Sequence, residues 1–162
     1  MKIVVISDTH IPDKASAIPK AVIEELRRAD MVIHAGDLVS LAVLKTIKEL
    51  CVNLKAVAGN MDHPEVKRQL PEKEIIKIGK YKLGLMHGWG APNKLIELLR
   101  EEFKKDYVDI IVFGHSHNSV NEQRKGILFF NPGSLTDKIF AEYNSYGIID
   151  INDKIEARIV KI

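Results

Sequence analysis

The first third of the chain alternates short apolar runs with helical segments, and this order restricts the fold more than any other feature of the sequence. Three runs lack the polar alternation of a half-exposed strand and predict strands buried on both faces: residues 2–7, 31–34 and 54–58. Apolar residues at helical spacing predict helices between them, over 16–29 and 39–50. Strand, helix, strand, helix, strand is the order of a parallel α/β unit with right-handed crossovers.

The rest of the chain predicts strands that return on themselves through tight turns. Gly79-Lys80, Lys125-Gly126 and Asn152-Asp153 each separate two predicted strands, as hairpin turns do. The strands predicted here are 74–78, 81–86, 110–113, 119–124, 127–131, 146–151 and 154–162, with a helix from Asn93 to about residue 104. We therefore predict a single domain over residues 1–162, α/β in its first part and α+β in character later.

Composition excludes several classes of protein. The chain is 46% hydrophobic and 28% charged, with a net charge of +2, which carries no strong signal of nucleic-acid binding. The apolar run at the N-terminus is too short for a signal peptide, and no segment approaches the roughly 20 apolar residues of a membrane span. The single cysteine, Cys51, excludes an internal disulfide and predicts a reducing, cytoplasmic location.

Polar side chains of metal-binding type follow five predicted strands at the point where each strand ends. In chain order they lie in Asp8-Thr9-His10, Gly36-Asp37, Gly59-Asn60-Met61-Asp62-His63, His87-Gly88 and Gly114-His115-Ser116-His117. Open α/β sheets bind their ligands at the carboxyl ends of the strands. We therefore expect these side chains to meet at one edge of the fold.

The His115-Ser116-His117 stretch is the most distinctive of these strand ends. If the backbone stays extended, both imidazoles point to the same side, and Gly114 supplies the freedom to turn out of the sheet. Two histidines in a solvent-exposed loop are the alternative interpretation when this stretch is taken alone. The other four strand ends favour a metal site.

The candidate metal ligands are seven side chains: Asp8, His10, Asp37, Asn60, His87, His115 and His117. Seven ligands are too many for one tetrahedral zinc ion, but they suit two adjacent transition-metal ions that share a bridging carboxylate. Nitrogen and oxygen ligands without thiolate favour manganese, nickel, iron, zinc or cobalt over calcium or magnesium alone, and manganese is our preferred candidate. Two ions about 3.5–4 Å apart can clamp a phosphate and activate a water between them.

These five blocks, in this order, resemble the calcineurin-like metallophosphoesterase superfamily. The small size of the chain and its Asn131-Pro132-Gly133-Ser134 stretch are similar to the compact YfcE/Vps29-like branch. The resemblance implies a four-layer sandwich of two mixed β-sheets flanked by helices, with the dimetal site at the strand C-terminal ends.

The resemblance also assigns roles to individual residues. One ion would be held by Asp8, His10 and His117, the other by Asn60, His87 and His115, with Asp37 as the bridge. Asp62 would hydrogen-bond a ligand histidine and fix its tautomer. The residues expected to take part in catalysis are Asp37, Asn60, Asp62 and His87.

The chain departs from the superfamily pattern at Met61. Many members have a histidine at this position that acts as general acid or stabilises the transition state. Its absence puts protonation of a poor leaving group in doubt. His63 is a tentative substitute, although it precedes Pro64 and has a turn-shaping role as its alternative.

Three further features have two interpretations each. His34 is interpreted as a partly buried histidine that supports the sheet, in preference to an eighth ligand. Trp89 either stacks on a substrate ring beside His87 or covers the edge of the core. The stretch 131–134 either approaches the site or forms a Pro-Gly turn, and the turn is favoured.

The function that these observations favour is a metal-dependent phosphodiesterase that hydrolyses small phosphodiesters with a metal-bridging hydroxide. A non-catalytic scaffold with the same fold is the alternative from another class. A phosphomonoesterase or nuclease with the same dimetal site is a third interpretation. The expected partner is a small phosphoester substrate, and a homodimer stays open.

Overall fold

Ten strands and four α-helices make up the computed structural model, which describes all 162 residues. The strands are β1 (Lys2–Ile6), β2 (Met31–His34), β3 (Leu54–Ala56), β4 (Lys73–Ile78), β5 (Tyr81–Met86), β6 (Ile110–Val112), β7 (Val120–Arg124), β8 (Ile127–Asn131), β9 (Ser145–Ile151) and β10 (Ile155–Lys161). The helices are α1 (Lys20–Arg27), α2 (Leu41–Leu50), α3 (Pro64–Lys67) and α4 (Leu95–Glu102). None of them has the length and apolar character needed to cross a membrane.

The strands form two five-stranded mixed sheets, in the orders β10-β9-β1-β2-β3 and β4-β5-β6-β8-β7. In the first sheet β1, β2 and β3 run parallel, as predicted, and β9 pairs antiparallel with β1. In the second sheet β5, β6 and β8 form a parallel centre with antiparallel strands at both edges. The prediction of two mixed sheets is confirmed, whereas the parallel centre of the second sheet was not predicted from the hairpin turns.

Strand β1 lies between two hydrophobic cores. Val4 and Ile6 belong to the core that α1 and α2 cover, through residues such as Val22 and Ile47. Ile3 and Val5 belong to the core between the two sheets. Because successive side chains of a strand point to opposite faces, a strand buried on both faces requires an uninterrupted apolar run.

The second sheet is covered on its outer face by α4. Leu95 and Leu99 of this helix pack with Phe103 against Ile111 and Phe129 of the sheet. Each of the three cores therefore fills one gap between layers, in the order helices, sheet, sheet, helix. The predicted four-layer sandwich flanked by helices is confirmed.

Helix boundaries differ from the predictions where the backbone conformation is special. Helix α2 begins at Leu41, after Val39, whose φ of 78° is incompatible with a right-handed helix. Asn93 is not a helix cap, because it lies in the 3₁₀ turn Pro92–Lys94 that precedes α4. The short helix α3, which begins at Pro64, was not predicted.

Loops after the parallel strands of both sheets meet at one edge. The backbone N–H of Asp8 donates to the carbonyl of Gly36 at 3.0 Å, which joins the loops after β1 and β2. The N–H of Gly114 donates to the carbonyl of His87 at 3.1 Å, which joins the loops after β6 and β5. This edge carries every candidate ligand.

Candidate metal centre

The first group of candidate ligands comes from the loops after β1, β2 and β6. The ligand atoms of Asp8, His10, Asp37 and His117 all lie within 4.8 Å of one another. The Nε2 atom of His117 is 3.2 Å from Nε2 of His10 and 3.2 Å from Oδ1 of Asp8. The carboxylates and His10 are buried, and His117 is half-buried.

The second group gathers around the side chain of Asn60. The Oδ1 atom of Asn60 lies 3.1 Å from Nε2 of His87 and 3.0 Å from Nδ1 of His115. His87 is buried, whereas Asn60 is exposed. These three side chains come from the loops after β3, β5 and β6, so both sheets contribute to the group.

Asp37 lies between the two groups. Its Oδ2 atom is 3.2 Å from Nε2 of His87 and 3.7 Å from Nε2 of His10. The structure thus brings together all seven side chains that the sequence predicted as candidate ligands. They form the two predicted groups, and the carboxylate of Asp37 lies close to both.

The donor atoms of the first group are better suited to binding a metal ion than to hydrogen bonding with one another. Oδ1 of Asp8 is the one buried side-chain nitrogen or oxygen atom in the chain without a hydrogen-bond partner. An unpaired buried carboxylate oxygen is costly unless a cation compensates it. It faces the imidazole nitrogens of His117 and His10, so a divalent ion there would find both nitrogen and oxygen donors.

Strained backbone conformations hold these side chains in place. Eight non-glycine residues have left-handed φ angles, and five of them are candidate ligands: Asp8, His10, Asp37, His115 and His117. Such conformations are uncommon outside glycine and are concentrated at functional sites. The sequence predicted an extended backbone after β6, but His115 and His117 have left-handed φ angles. Their side chains therefore turn to different groups instead of sharing one face.

Two glycines are required here because neighbouring atoms approach too closely for a side chain. A Cβ atom at Gly59 would lie 2.2 Å from Oδ1 of Asp37. A Cβ atom at Gly114 would lie 2.1 Å from Oγ of Ser7 and 2.7 Å from Oδ2 of Asp8. Gly114 serves close packing, because its own φ is not left-handed, contrary to the predicted role in turning the chain.

Each histidine of the second group has one ring nitrogen close to a backbone carbonyl and the other directed toward Asn60. Nδ1 of His87 is 2.7 Å from the carbonyl of Ala35, and Nε2 of His115 is 3.0 Å from the carbonyl of Gly90. Because a carbonyl only accepts, the nitrogen facing it carries the proton. His87 therefore presents Nε2 to the site and His115 presents Nδ1.

Asp137 is a site residue that the sequence did not reveal. Its buried carboxylate accepts a hydrogen bond from Nδ1 of His117 and one from the ammonium of Lys14 at 2.9 Å. The backbone N–H of Ile139 donates to the same carboxylate at 2.8 Å. Asp137 follows no predicted strand and belongs to no motif, so nothing in its local sequence marks it.

Asp62 is close to the site, but its predicted contact with a ligand histidine is wrong. Its carboxylate accepts the backbone N–H groups of Val39 at 2.6 Å, Gly59 at 2.7 Å and Asp37 at 3.2 Å. The two carboxylate oxygens are thus occupied by backbone donors. Asp62 fixes the loops that carry Asp37 and Asn60, and acts on the site through them.

The structure offers no catalytic contact for His63. Its side chain is exposed and forms no hydrogen bond, and the residue occupies the N-cap position of α3. Met61 is also exposed, but its backbone N–H donates to Oδ1 of Asp37 at 2.7 Å. Position 61, not position 63, is therefore the one in contact with the shared carboxylate.

His34 is fully buried beside the site and is not part of either group. The N–H of Gly36 donates to its Nδ1 atom at 3.2 Å, and its Nε2 atom is 3.2 Å from the hydroxyl of Thr9. Complete burial lowers the pKa of His34 to about 3, so this imidazole is neutral. It supports the loops after β1 and β2.

The stretch 131–134 contacts the site, although a plain turn was favoured from sequence. Asn131 donates through Nδ2 to the carbonyl of Gly114 at 2.8 Å. The hydroxyl of Ser134 donates to the carbonyl of Asp8 at 2.8 Å, and its N–H donates to the carbonyl of His117 at 3.1 Å. These bonds hold two ligand-bearing loops in position.

Electrostatics at the site depend on the shared carboxylate. Burial lowers the pKa of His87, but its hydrogen bond to Asp37 and the charge of Asp8 outweigh burial and raise the pKa to about 9. Burial raises the pKa of Asp37, but the hydrogen bond with His87 and that from Met61 outweigh it and lower the pKa. Without a metal, the carboxylates therefore retain a proton on a ligand histidine, and a cation would replace it.

Two cavities flank the site. One, of about 430 Å³, is lined by Asn60 and His87 and reaches Trp89. The other, of about 310 Å³, is lined by His115, His117 and Phe140. Two spaces that could each accept part of a substrate therefore adjoin the candidate metal centre.

Comparison with known proteins gives a consistent result. The sequence model of the calcineurin-like phosphoesterase superfamily domain matches residues 1–154. A probable metallophosphoesterase of Methanocaldococcus jannaschii is 37% identical over 166 residues, with coverage of 100% of this chain and 82% of the relative. A phosphodiesterase of the same organism is 31% identical over 172 residues, with coverage of 99% of both chains.

Solved structures of a different kind of protein are also similar. Wild-type Vps29 from Entamoeba histolytica, solved as a complex with Zn²⁺, is 27% identical to this chain. It superposes with a TM-score of 0.77 over 99% of both chains. The same fold and a metal therefore occur in a protein whose name does not denote an esterase.

Proposed function

Since this chain belongs to the calcineurin-like phosphoesterase superfamily, we propose that it is a metal-dependent phosphodiesterase that hydrolyses small phosphodiesters. The observation that carries the proposal is the meeting of two donor groups at Asp37, whose Oδ2 atom is 3.2 Å from His87 and 3.7 Å from His10. A single structural ion would not need a second donor group beside it.

In this proposal two divalent ions occupy the two donor groups, with manganese as the preferred metal and nickel, iron, zinc and cobalt as alternatives. Asp8, His10 and His117 would hold one ion and Asn60, His87 and His115 the other, and Asp37 lies where it could serve both groups. When bound, such ions supply positive charge for phosphate oxygens and acidify a water molecule. The imidazole tautomers set by Ala35 and Gly90 already direct ring nitrogens into the second group.

The residues of the chain have distinct tasks in the reaction. Asp37, Asn60 and His87 hold and orient the reacting groups, and the N–H of Met61 keeps the Asp37 carboxylate in one orientation. Asp62 positions the two loops through its backbone bonds. Because position 61 carries no proton donor, the leaving group must take its proton from water, which favours substrates with good leaving groups.

The preference for diesters rests on the space around the site. A phosphodiester carries two substituents, and two separate cavities, of about 430 Å³ and 310 Å³, are each lined by residues of the candidate metal centre. A monoester would leave one of them without a substituent. The similarity to an archaeal phosphodiesterase along 99% of both chains supports the same choice.

A non-catalytic scaffold is the second candidate, because Vps29 has this fold. Metal binding does not separate the two functions, since Vps29 from Entamoeba histolytica was solved with Zn²⁺. Turnover does separate them. We favour the enzyme because the chain keeps a complete set of donors, with Asp8, His10, Asp37 and His87 buried at the site.

The test is hydrolysis by protein stripped of metal and reloaded with manganese, nickel, iron, zinc or cobalt in turn. The substrates are aryl diesters, aryl monoesters and cyclic nucleotides, and elemental analysis of each sample gives the metal content. We expect metal-dependent turnover that is fastest on diesters. Normal metal content without turnover on any substrate would instead support the scaffold.

Asp37→Asn provides the matched test of the two-ion site. Loss of the shared charge should abolish turnover and reduce binding of both ions. Asp153→Asn, at an exposed position of the β9–β10 hairpin, is the control and should behave like the unchanged protein. Unchanged turnover in Asp37→Asn would exclude the two-ion arrangement.

We propose a cytoplasmic setting from the composition of the chain. The lone thiol of Cys51 is buried and unpaired, which suits a reducing cytoplasm. The net charge of +2 argues against tight binding to nucleic acid, which relies on many phosphate contacts.

A further inference from the structure

The cavity beside Asn60 and His87 has a wall that the proposed reaction does not use. It has a volume of about 430 Å³, and Trp89, Met86 and Lys67 are among its lining residues. Ligand pockets in proteins range from roughly 300 to 1,000 Å³, so this volume is within the range of a small-molecule site. Its direct contact with two candidate ligands puts any group bound there next to the phosphate.

Trp89 is the aromatic surface of this cavity. The side chain is 41% exposed and lines the cavity next to His87. An exposed indole beside a reaction site is a suitable platform for a planar ring.

The backbone fixes Trp89 relative to the metal centre. Its neighbours Gly88 and Gly90 have left-handed φ angles of 95° and 84°. The carbonyl of Gly90 accepts the hydrogen bond from Nε2 of His115 at 3.0 Å. Trp89 thus lies two residues after His87, and its neighbour Gly90 is hydrogen-bonded to His115.

Lys67 adds a cation to the same cavity. Its ammonium donates to the carbonyl of Asn60 at 2.8 Å and has no carboxylate within 4.0 Å. A lysine has three N–H donors, so two remain for a ligand. Glu72 also lines the cavity and supplies acceptors. A nucleobase offers a planar face for stacking together with donors and acceptors at its edge.

We propose that this cavity binds a nucleobase, so that the substrates are phosphodiesters with one nucleoside substituent, stacked on Trp89. This inference rests on the proposed phosphodiesterase function and narrows its substrate class. Trp89 then acts in substrate specificity and has no part in the chemical step.

The kinetic test compares two diesters with the same leaving group. Thymidine 5′-monophosphate p-nitrophenyl ester carries a base, and methyl p-nitrophenyl phosphate does not. Trp89→Leu should raise KM for the thymidine ester by about 5- to 100-fold, as loss of one stacking contact does, and leave the methyl ester unchanged. Trp89→Phe keeps a ring and should retain most of the preference, while Tyr107→Leu, at an 82% exposed aromatic elsewhere, is the control.

A binding test does not depend on turnover. Trp89 is the one tryptophan of the chain, so its fluorescence reports on this cavity directly. In the metal-loaded protein, adenosine 5′-monophosphate should cause a saturable change in emission, and ribose 5-phosphate, which lacks the base, should not.

The outcomes separate this inference from the proposed function. Hydrolysis of both diesters without a base preference, or an equal effect of Trp89→Leu on both, overturns the nucleobase site and leaves the phosphodiesterase intact. If neither diester is hydrolysed, the result counts against the phosphodiesterase function. The fluorescence difference between the two phosphates then still decides whether the cavity binds a base. Equal emission changes with both phosphates would overturn the base-binding role.

Discussion

Asp137 accepts a hydrogen bond from Nδ1 of His117, although the two residues are 20 positions apart in sequence. This bond leaves the Nε2 atom of His117 free to face Oδ1 of Asp8 at 3.2 Å. The ammonium of Lys14 compensates the Asp137 carboxylate from the other side at 2.9 Å. A carboxylate that holds a ligand histidine in this way fixes its tautomer and increases its basicity toward a metal.

Asp137→Asn should weaken metal binding without removing any candidate ligand. The amide can still accept from His117, but it lacks the charge that favours the metal-binding tautomer. Partners of this type typically contribute about 10- to 100-fold in metal affinity or activity. Titration of stripped protein with manganese or zinc measures the affinity, and Asp153→Asn is the exposed control. Equal affinities of Asp137→Asn and the unchanged protein would contradict the positioning role.

The stability of the metal-free protein should depend on Asp137 in acid. Burial raises the pKa of Asp137, but the N–H of Ile139, the ammonium of Lys14 and the bond to His117 outweigh burial and hold the pKa below its ordinary value of 3.8. A carboxyl with a depressed folded-state pKa stabilises the fold above its unfolded-state pKa and loses this contribution as the pH falls toward the folded-state value.

Urea unfolding of EDTA-treated protein at several pH values tests this dependence. The difference in unfolding free energy between the unchanged protein and Asp137→Asn should shrink as the pH falls from about 5 to about 3. The comparison stays below pH 5 because Asp137 also raises the pKa of His117, which adds a second pH dependence at higher pH. Asp153→Asn should show no such trend, because its side chain is exposed. A difference that does not vary with pH would mean that the Asp137 pKa is not depressed.

His117→Ala and His115→Ala should affect different ions. His117 lies at Asp8 and His10, whereas His115 lies at Asn60. Each variant should therefore lose one ion of the pair more readily than the other, and the two variants should be complementary. Metal titration followed by elemental analysis resolves the two binding steps. Equal loss at both steps in either variant would contradict the division of ligands.

Met61→His should raise turnover on substrates with poor leaving groups. The N–H of residue 61 contacts Oδ1 of Asp37 at 2.7 Å and its side chain is 55% exposed, so an imidazole there has room near the reacting phosphate. General acid catalysis typically contributes about 100- to 10,000-fold, and a small part of that gain is expected. Alkyl and aryl diesters compared side by side give the measurement, and Met61→Leu is the control. A gain confined to aryl esters would count against a proton-donor role.

Local sequence was sufficient for the parallel strands of the first sheet and for the candidate donor set. Buried parallel strands require unbroken apolar runs such as Ile3–Ile6, and the candidate ligands lie in the short segments that follow such strands. Asp8, Asp37 and His87 were therefore visible without any structure. Glycines such as Gly59 and Gly114 were visible too, but their reason was not, because it is the distance to Asp37 and Asp8.

The tertiary structure decided which partner each polar group has. Asp62 was expected to accept a hydrogen bond from a candidate ligand histidine, but its carboxylate accepts backbone N–H groups instead. Asp137, which lies in a loop without a motif, accepts the hydrogen bond from His117. The stretch 131–134 became a support of the site only once packing placed Ser134 against Asp8.

The sequence by itself determined the parallel α/β unit and the seven candidate donors, because both depend on periodicity and on the order of residues along the chain, whereas the layered sandwich was implied by the resemblance to the superfamily. Only the tertiary structure decided how the donors divide around Asp37, which nitrogen His115 and His87 present, and where Trp89 lies. Those properties depend on distances between loops that are far apart in sequence, and on left-handed backbone conformations that packing imposes on non-glycine residues.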